Sequence, residues 1–386
     1  MNEYWVPYRS LIDEPWADVL PEALSEVAAA DSPAAYELAM LKLIARTDDT
    51  HANLRQAHEH RPPTGDGGWP VQFRMVEGRP TVWERNDPGT VLKIGDQVLA
   101  IDGVPVGDLF AGWEPFYCAS NRITLERNMA RSLSRGPVGP ATATVRRGGE
   151  TLTLDVPRVS DWQGDPLLHD RPGETFQLLS EQITYVKLSS VKISEVASYI
   201  ERAEGTCGLV IDIRNYPSEF MVYSLAPCLL DEPTEFARFT AGDRYNPGVF
   251  TWIPPLTLQP AASKYEGRVA VLVDETSVSS SEYTAMALRC GPRAVVVGST
   301  TAGADGNVSR INLPGGLRTM ISGIGVFYPD KTPTQRVGIV PDIEVRPTAE
   351  GIREGRDEVM EAAVRHLLGK GADEGAVRGM CQRVGR

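Results

Sequence analysis

Apolar residues recur at helical spacing near the start of the chain: Trp16, Val19, Leu20, Leu24 and Val27, then the run YELAMLKLIA over 36–45. The spacing predicts helices within residues 15–60, ended by RPPTGDGG (61–68), a Pro/Gly-rich break suited to a boundary. The pattern then shortens to strand-like runs over 69–103: PVQFRMV, RPTVWER and LKIGDQVLAIDG. In the last of these a Gly95-Asp96 turn leads into alternation that predicts Leu99 and Ile101 inside. Residues 107–140 read as an insertion with a helix over 123–133, and TATVRRGGETLTLDVPR (142–158) as a closing strand pair.

From residue 175 strands and helices alternate. ITYVKL (183–188) reads as a strand and 193–203 as a helix. GLVIDIR (208–214) is a continuous apolar strand of the kind buried on both faces. A helix near 219–230, the strand RVAVLVD (268–274), the helix EYTAMALR (282–289) and the strand RAVVVGS (293–299) follow. This alternation predicts a largely parallel sheet under helical cover, with functional groups in the loops that leave the C-terminal strand ends. VIDIRNYPSE and VLVDETSVSSSE are two such exits. The division expected is a helical region over 1–65, a β-rich domain with its helical insertion over 66–160, an α/β core over 175–350, and a C-terminal helix and tail over 351–386.

Composition narrows the functions. With 386 residues the chain exceeds one ordinary domain. A net charge of −12, with no block of Lys or Arg, argues against nucleic acid and anionic membrane as partners. No apolar run approaches the roughly 20 residues that span a bilayer. The start, MNEYWVPYRS, lacks a basic segment followed by an apolar one, so a cytoplasmic protein is expected, with an exported protein of trimmed start as the alternative. Five scattered cysteines, with no C-x-x-C and no Cys/His pair at metal spacing, point to neither a disulfide framework nor a zinc site. Cys207, Cys228 and Cys290 read as buried small hydrophobes. No metal or organic cofactor is implied.

The chemistry concentrates in DETSVSSSEYTAMALR (274–289). Ser279-x-x-Glu282 fits a capping box at a helix start, but a strand, a tight turn and a helix also make the geometry that exposes a nucleophilic hydroxyl. VLVDETSVSSSEYTAMAL, AVVVGSTTAGADGNVS, INLPGG and VGIVPDIEV, in that order, resemble the catalytic domain of the C-terminal processing (tail-specific) serine peptidases and the related tricorn protease. The resemblance spans roughly residues 36–367. It implies an α/β fold with a crotonase-like parallel-sheet protease core. LKIGDQVLAIDGVPV likewise resembles the core hairpin of bacterial PDZ domains, which bind peptide ends by adding a strand. By that resemblance Gly67, Gly68 and Trp69 would border a peptide-carboxylate loop. The alternative is a degenerate PDZ-like unit that braces its neighbour.

Carried over residue by residue, the resemblance makes Ser279 the nucleophile. It takes one oxyanion donor from the backbone of Ser280 and a second from the loop at Ser218 and Glu219, where many relatives carry paired glycines. Ser277, Ser280 and Ser281 read as turn and cap residues. The family lysine, 25 residues beyond the serine, is replaced by Ala304, and neither lysine nor histidine occurs between Ser279 and Phe327. The tricorn branch draws a histidine from the preceding helical region, and DDTHAN supplies Thr50 and His51. Its glutamate position, six before Pro341, holds Gln335. The resemblance therefore implies His51 as base, oriented through Thr50 and Gln335, although a lone histidine at a helix end is often a cap or a surface group. Arg214 reads as a structural ion-pair partner, Glu282 as the capping acid, Asp342 as the holder of the closing turn, and Asp305 as a loop or substrate contact.

The function implied is a serine peptidase acting on peptides or unfolded chains, with a PDZ-like unit presenting substrate and a homo-oligomer possible. The rival from another class is a peptide-binding scaffold of the same fold without chemistry. A small-ester or cyclic-peptide hydrolase is a third reading. An acyl-CoA enzyme lacks a visible CoA signature, and an α/β-hydrolase lacks G-x-S-x-G around the serines.

Overall fold

The structure, a computed structural model, describes residues 14–54, 59–160, 172–243, 245–246 and 249–384. His58 and His169 lie outside the described residues. Two packed helices open it, Trp16–Ala29 and Pro33–Ala45. The second begins at Ser32, whose hydroxyl accepts the Ala35 N–H, with Pro33 at the first helical position. Its apolar face, Met40, Leu41 and Ile44, closes over Leu317 and Ile321 of a hairpin formed by Val308–Asn312 and Arg318–Ser322. The helical layer is thereby seated on a segment far away in sequence.

A six-stranded antiparallel sheet follows, in spatial order Val71–Val76, Arg79–Arg85, Gln97–Ile101, Thr142–Arg147 and Glu150–Asp155, with the short strand Val104–Pro105 also paired to Gln97–Ile101. The helix Arg122–Ser132 packs against its first strand, and the core gathers Trp69, Phe73, Val82, Val98, Ile101 and Val145. The simple alternation expected at 98–102 is broken. A bulge between Val98 and Ala100 inserts a residue, so Val98 joins Ile101 in the core and Leu99 is left half-buried.

The parallel sheet runs in the order Ile343–Glu344, Ala294–Gly298, Arg268–Val273, Gly208–Asp212, Ile183–Lys187 and Phe176–Leu178. Every neighbouring pair is parallel except the last. All five residues of Gly208–Asp212 are buried, because one apolar layer covers each face. Val196–Ala203 and Ser280–Arg289 lie in one layer, Glu358–Leu368 and Glu374–Cys381 in the other. The result is a mixed α/β fold.

Three expectations are corrected. Residues 219–230 form turns and one short 3-10 segment, Ala226–Leu229, rather than a helix; Pro227 has no amide to donate and interrupts any longer run. The C-terminal region holds two main helices instead of one. Among the cysteines Cys228 is buried but Cys207 is exposed and Cys290 only half-buried, whereas Cys118 and Cys381 are buried. Among the described residues no helix is long and apolar enough to cross a membrane.

Candidate active site

The strand Arg268–Val273 ends in a turn whose hydroxyls tie it to the next strand exit. Thr276 Oγ1 donates to the Arg214 carbonyl at 2.9 Å, Ser277 Oγ to the Ile213 carbonyl at 2.8 Å, and Ser281 Oγ to the Asn215 carbonyl at 2.9 Å. Short hydroxyl side chains reach neighbouring backbone carbonyls in this way without needing a longer loop. The serine-rich composition therefore has a mechanical use, and Ser277 and Ser281 are the turn and cap residues expected. Ser279 differs. It takes φ 57° and ψ −114°, a conformation that favours glycine, immediately before the helix Ser280–Arg289. A non-glycine residue held there stores about 1–3 kcal/mol, and such strain gathers at functional turns between a strand and a helix.

What holds Ser279 is Glu282, fully buried one turn later. Its carboxylate accepts the Ser279 N–H at 3.1 Å, Thr301 Oγ1 at 2.5 Å, the Gly303 N–H at 2.7 Å and the Ala304 N–H at 2.9 Å. Burial pushes the carboxyl upward and these four donors pull the other way. The capping acid read from spacing is thus also the clamp that joins the serine turn to the loop 301–304. In that loop Ala302 donates its N–H to the Ser277 carbonyl at 3.0 Å and accepts Thr50 Oγ1 at 3.4 Å and Thr124 Oγ1 at 3.2 Å. Serine turn and histidine loop meet on one residue.

The histidine loop, 48–51, is pinned from several sides. Arg336 pairs with Asp48 at 2.8 Å, and Thr50 exchanges two 2.9 Å bonds with Ser120. Cys118, whose thiol burial pushes up to about 12, donates to the Asp49 carbonyl at 3.1 Å. The His51 ring is mostly buried, with Nδ1 2.9 Å from Ser322 Oγ and 3.8 Å from Asp49 Oδ1. Asp49 in turn accepts the Ser322 N–H at 2.6 Å, Ser322 Oγ at 3.0 Å and the His51 N–H at 3.0 Å.

These contacts correct the expected partners of His51. Thr50 Oγ1 accepts the Ser120 N–H and donates to Ala302, so it anchors the loop. Gln335 is buried and bonds only backbone: Oε1 accepts the Val326 N–H at 3.0 Å, and Nε2 donates to the Asp305 and Ile324 carbonyls at 2.9 and 2.6 Å. The carboxylate beside the imidazole is Asp49, and Ser322 stands between them; sequence reasoning missed both. The first Asp pair of DDTHAN was a signal for Asp49, but nothing local pointed to Ser322.

The oxyanion expectations divide. Ser280 is the first helical residue, so its N–H has no intrahelical acceptor. The Ser218 N–H donates to the Leu188 carbonyl at 2.9 Å and cannot serve, which is a correction. Glu219 accepts the Ile193 N–H on its side chain at 2.5 Å, and its own N–H makes no hydrogen bond among the described residues. The expected carboxylate loop is likewise closed. Gly67 and Gly68 pair with Gly136 and Arg135, Gly68 also exchanges bonds with Val159, and the Trp69 N–H goes to the Ser134 carbonyl. Trp69 itself is core, its Nε1 on the Val156 carbonyl at 2.7 Å.

The readings of Arg214 and Asp342 hold. Arg214 is clamped by Asp212 at 2.7 Å and Asp357 at 2.8 Å. Asp342 accepts the Val296 N–H at 2.8 Å and pairs with Arg289 at 2.7 Å, which latches the closing turn. Asp305 is buried beyond substrate reach. Oδ1 takes the Gly306 N–H, Oδ2 has no partner, and burial beside Glu282 holds the carboxyl well above its ordinary value. The antiparallel unit also touches the serine turn, through Arg74 on Asp274 at 3.2 Å and Arg127 on the Glu275 carbonyl. Among the described residues no group of three or more His, Cys, Asp or Glu is arranged to hold a metal ion.

Residues 182–345 match the family model described as Peptidase family S41. A carboxyl-terminal-processing protease of Synechocystis sp. is 26% identical over 255 residues, 64% of this chain and 53% of that protein. One from Picosynechococcus sp. is 26% identical over 257 residues, 64% of this chain and 55% of its own length. The chain thus spans about half the length of the curated relatives it matches. The structure of mature CPAF complexed with lactacystin shares the fold at a TM-score of 0.72 and 16% identity, over 99% of this chain and 96% of that one. Over its parallel sheet the chain is thus similar to the peptidases of family S41, and the two curated relatives it matches are both named carboxyl-terminal-processing proteases.

Proposed function

We propose that the chain cleaves peptide bonds in peptides or unfolded proteins, with Ser279 as nucleophile and His51 as base. Ser279 Oγ adds to the peptide carbonyl carbon as its proton passes to His51 Nε2, Nδ1 being engaged with Ser322. The Ser280 N–H faces the charge that develops on the carbonyl oxygen. The proton then moves to the leaving amine as the C–N bond breaks, and water hydrolyses the ester by the reverse path.

The observation that carries this reading is Ala302, which binds the serine turn through its N–H and the residue before His51 through its carbonyl. Two segments that lie 228 residues apart are registered on one residue. The strained backbone of Ser279 supports the same reading. The antiparallel unit is read as PDZ-like and the parallel core as crotonase-like. With Gly67, Gly68 and Trp69 occupied, the PDZ-like unit braces the serine turn through Arg74 and Arg127. A fluorophosphonate probe tests the assignment: it should attach to Ser279 and not to Ser279→Ala. An unlabelled parent chain would favour the scaffold without chemistry.

A further inference from the structure

We propose that Asp49 is a positioning residue that sets the tautomer of His51 through the hydroxyl of Ser322. The catalytic meaning of this rests on the proposed role of His51 as base; the tautomer itself does not.

The argument is one of hydrogen count. A carboxylate only accepts, and a serine hydroxyl has one proton to give. Ser322 Oγ lies 3.0 Å from Asp49 Oδ1 in a buried site, and the Ser322 N–H fixes the other oxygen at 2.6 Å. If the hydroxyl proton pointed elsewhere, two acceptors would face each other at 3.0 Å without a hydrogen, which a buried site tolerates poorly. The proton therefore belongs to Asp49, and a lone pair of Ser322 Oγ faces His51 Nδ1 at 2.9 Å. Nδ1 must then be the donor, so the neutral ring carries its hydrogen on Nδ1 and its basic lone pair on Nε2. The direct gap from Nδ1 to Asp49, 3.8 Å, is too long for a hydrogen bond, so the carboxylate acts through the hydroxyl. The neighbouring charges Asp48 and Arg336 pair with each other at 2.8 Å.

The two halves come from separate layers. Asp49 and His51 follow the N-terminal helices, while Ser322 ends the hairpin that those helices cover. The base acquires its tautomer only where that layer is seated.

The test is nuclear magnetic resonance of the full chain with 15N-labelled histidine at pH 8, reading two-bond couplings to the ring nitrogens, with the His51 signals identified by their loss in His51→Gln. The parent should show the Nδ1–H tautomer, and Ser322→Thr should keep it. Ser322→Ala and Asp49→Asn should shift His51 toward the Nε2–H form and slow fluorophosphonate labelling about 10- to 100-fold, as losses of an orienting partner do. An Nε2–H ring in the parent, or an Nδ1–H ring unchanged in both weakened variants, overturns the proposal. If either weakened variant fails to fold, the parent and Ser322→Thr spectra decide. A parent with the expected tautomer but no labelling would refute the peptidase reading and leave the relay standing.

Discussion

Glu282→Gln isolates the clamp on the serine turn. The carboxylate oxygens each take two donors: Thr301 Oγ1 and the Gly303 N–H on one, the Ser279 and Ala304 N–H groups on the other. An amide keeps one oxygen but sets an NH2 against the second pair of donors. Two bonds to a charged acceptor are lost, each about 1.5–3 kcal/mol, and part of that is returned because a buried charge, which burial disfavours here, is no longer carried. A net loss of about 3 kcal/mol follows, which for a unit of this size lowers the melting temperature by about 6–12 °C. Because Ser279 is one of the four donors, fluorophosphonate labelling should fall more steeply than stability alone explains at 20 °C, where the variant is still folded. Paired thermal melts and labelling rates read both quantities. A variant that melts within 2 °C of the parent (about 1 kcal/mol or less) and labels at the parent rate would refute the claim that Glu282 holds the turn.

Ser279→Gly should abolish labelling yet raise stability by about 1 kcal/mol in thermal melts, since glycine adopts φ 57° without penalty; a destabilised variant would show that the conformation is not strained. Asp305 is raised by burial and by Glu282, so the folded chain binds a proton that the unfolded chain releases first. Its penalty is absent below the unfolded value near about 4 and grows as pH rises through the folded one. Asp305→Asn should therefore gain stability over the parent progressively from pH 4 to 8; a pH-independent difference would contradict the assignment. Arg74→Ala removes the half-buried pair with Asp274 and the stacking on Trp83 at 4.1 Å. Labelling should slow severalfold with the parallel-sheet unit still folded by circular dichroism, and an unchanged rate would mean that the antiparallel unit does not brace the turn.

Much of this protein is legible along the chain because the information is local. Continuous apolar runs bounded by turn residues predict Gly208–Asp212 and Arg268–Val273, since a strand covered on both faces needs apolar side chains at every position. Ser279 and Glu282 are three residues apart, so their partnership is a property of one helical turn. His51 is singled out by the resemblance of DDTHAN to the tricorn segment and by no local pattern. Where sequence reasoning fails, the deciding contact is distant or the backbone is irregular. A single inserted residue between Val98 and Ala100 puts Val98 in the core in place of Leu99. Gly67 and Gly68 resemble an open loop in sequence, yet the strand Arg135–Gly136 closes on them. Gln335 occupies the expected slot, but its amide satisfies three backbone groups that only the folded loops bring together. Ser322 is 271 residues from His51, and its register across from Val308 determines where its hydroxyl points. The strands of the parallel sheet and the Ser279–Glu282 turn follow from short-range pattern and spacing, and His51 from the resemblance of its segment. The partners of that histidine follow from burial, because only in the assembled core must each polar atom find its complement.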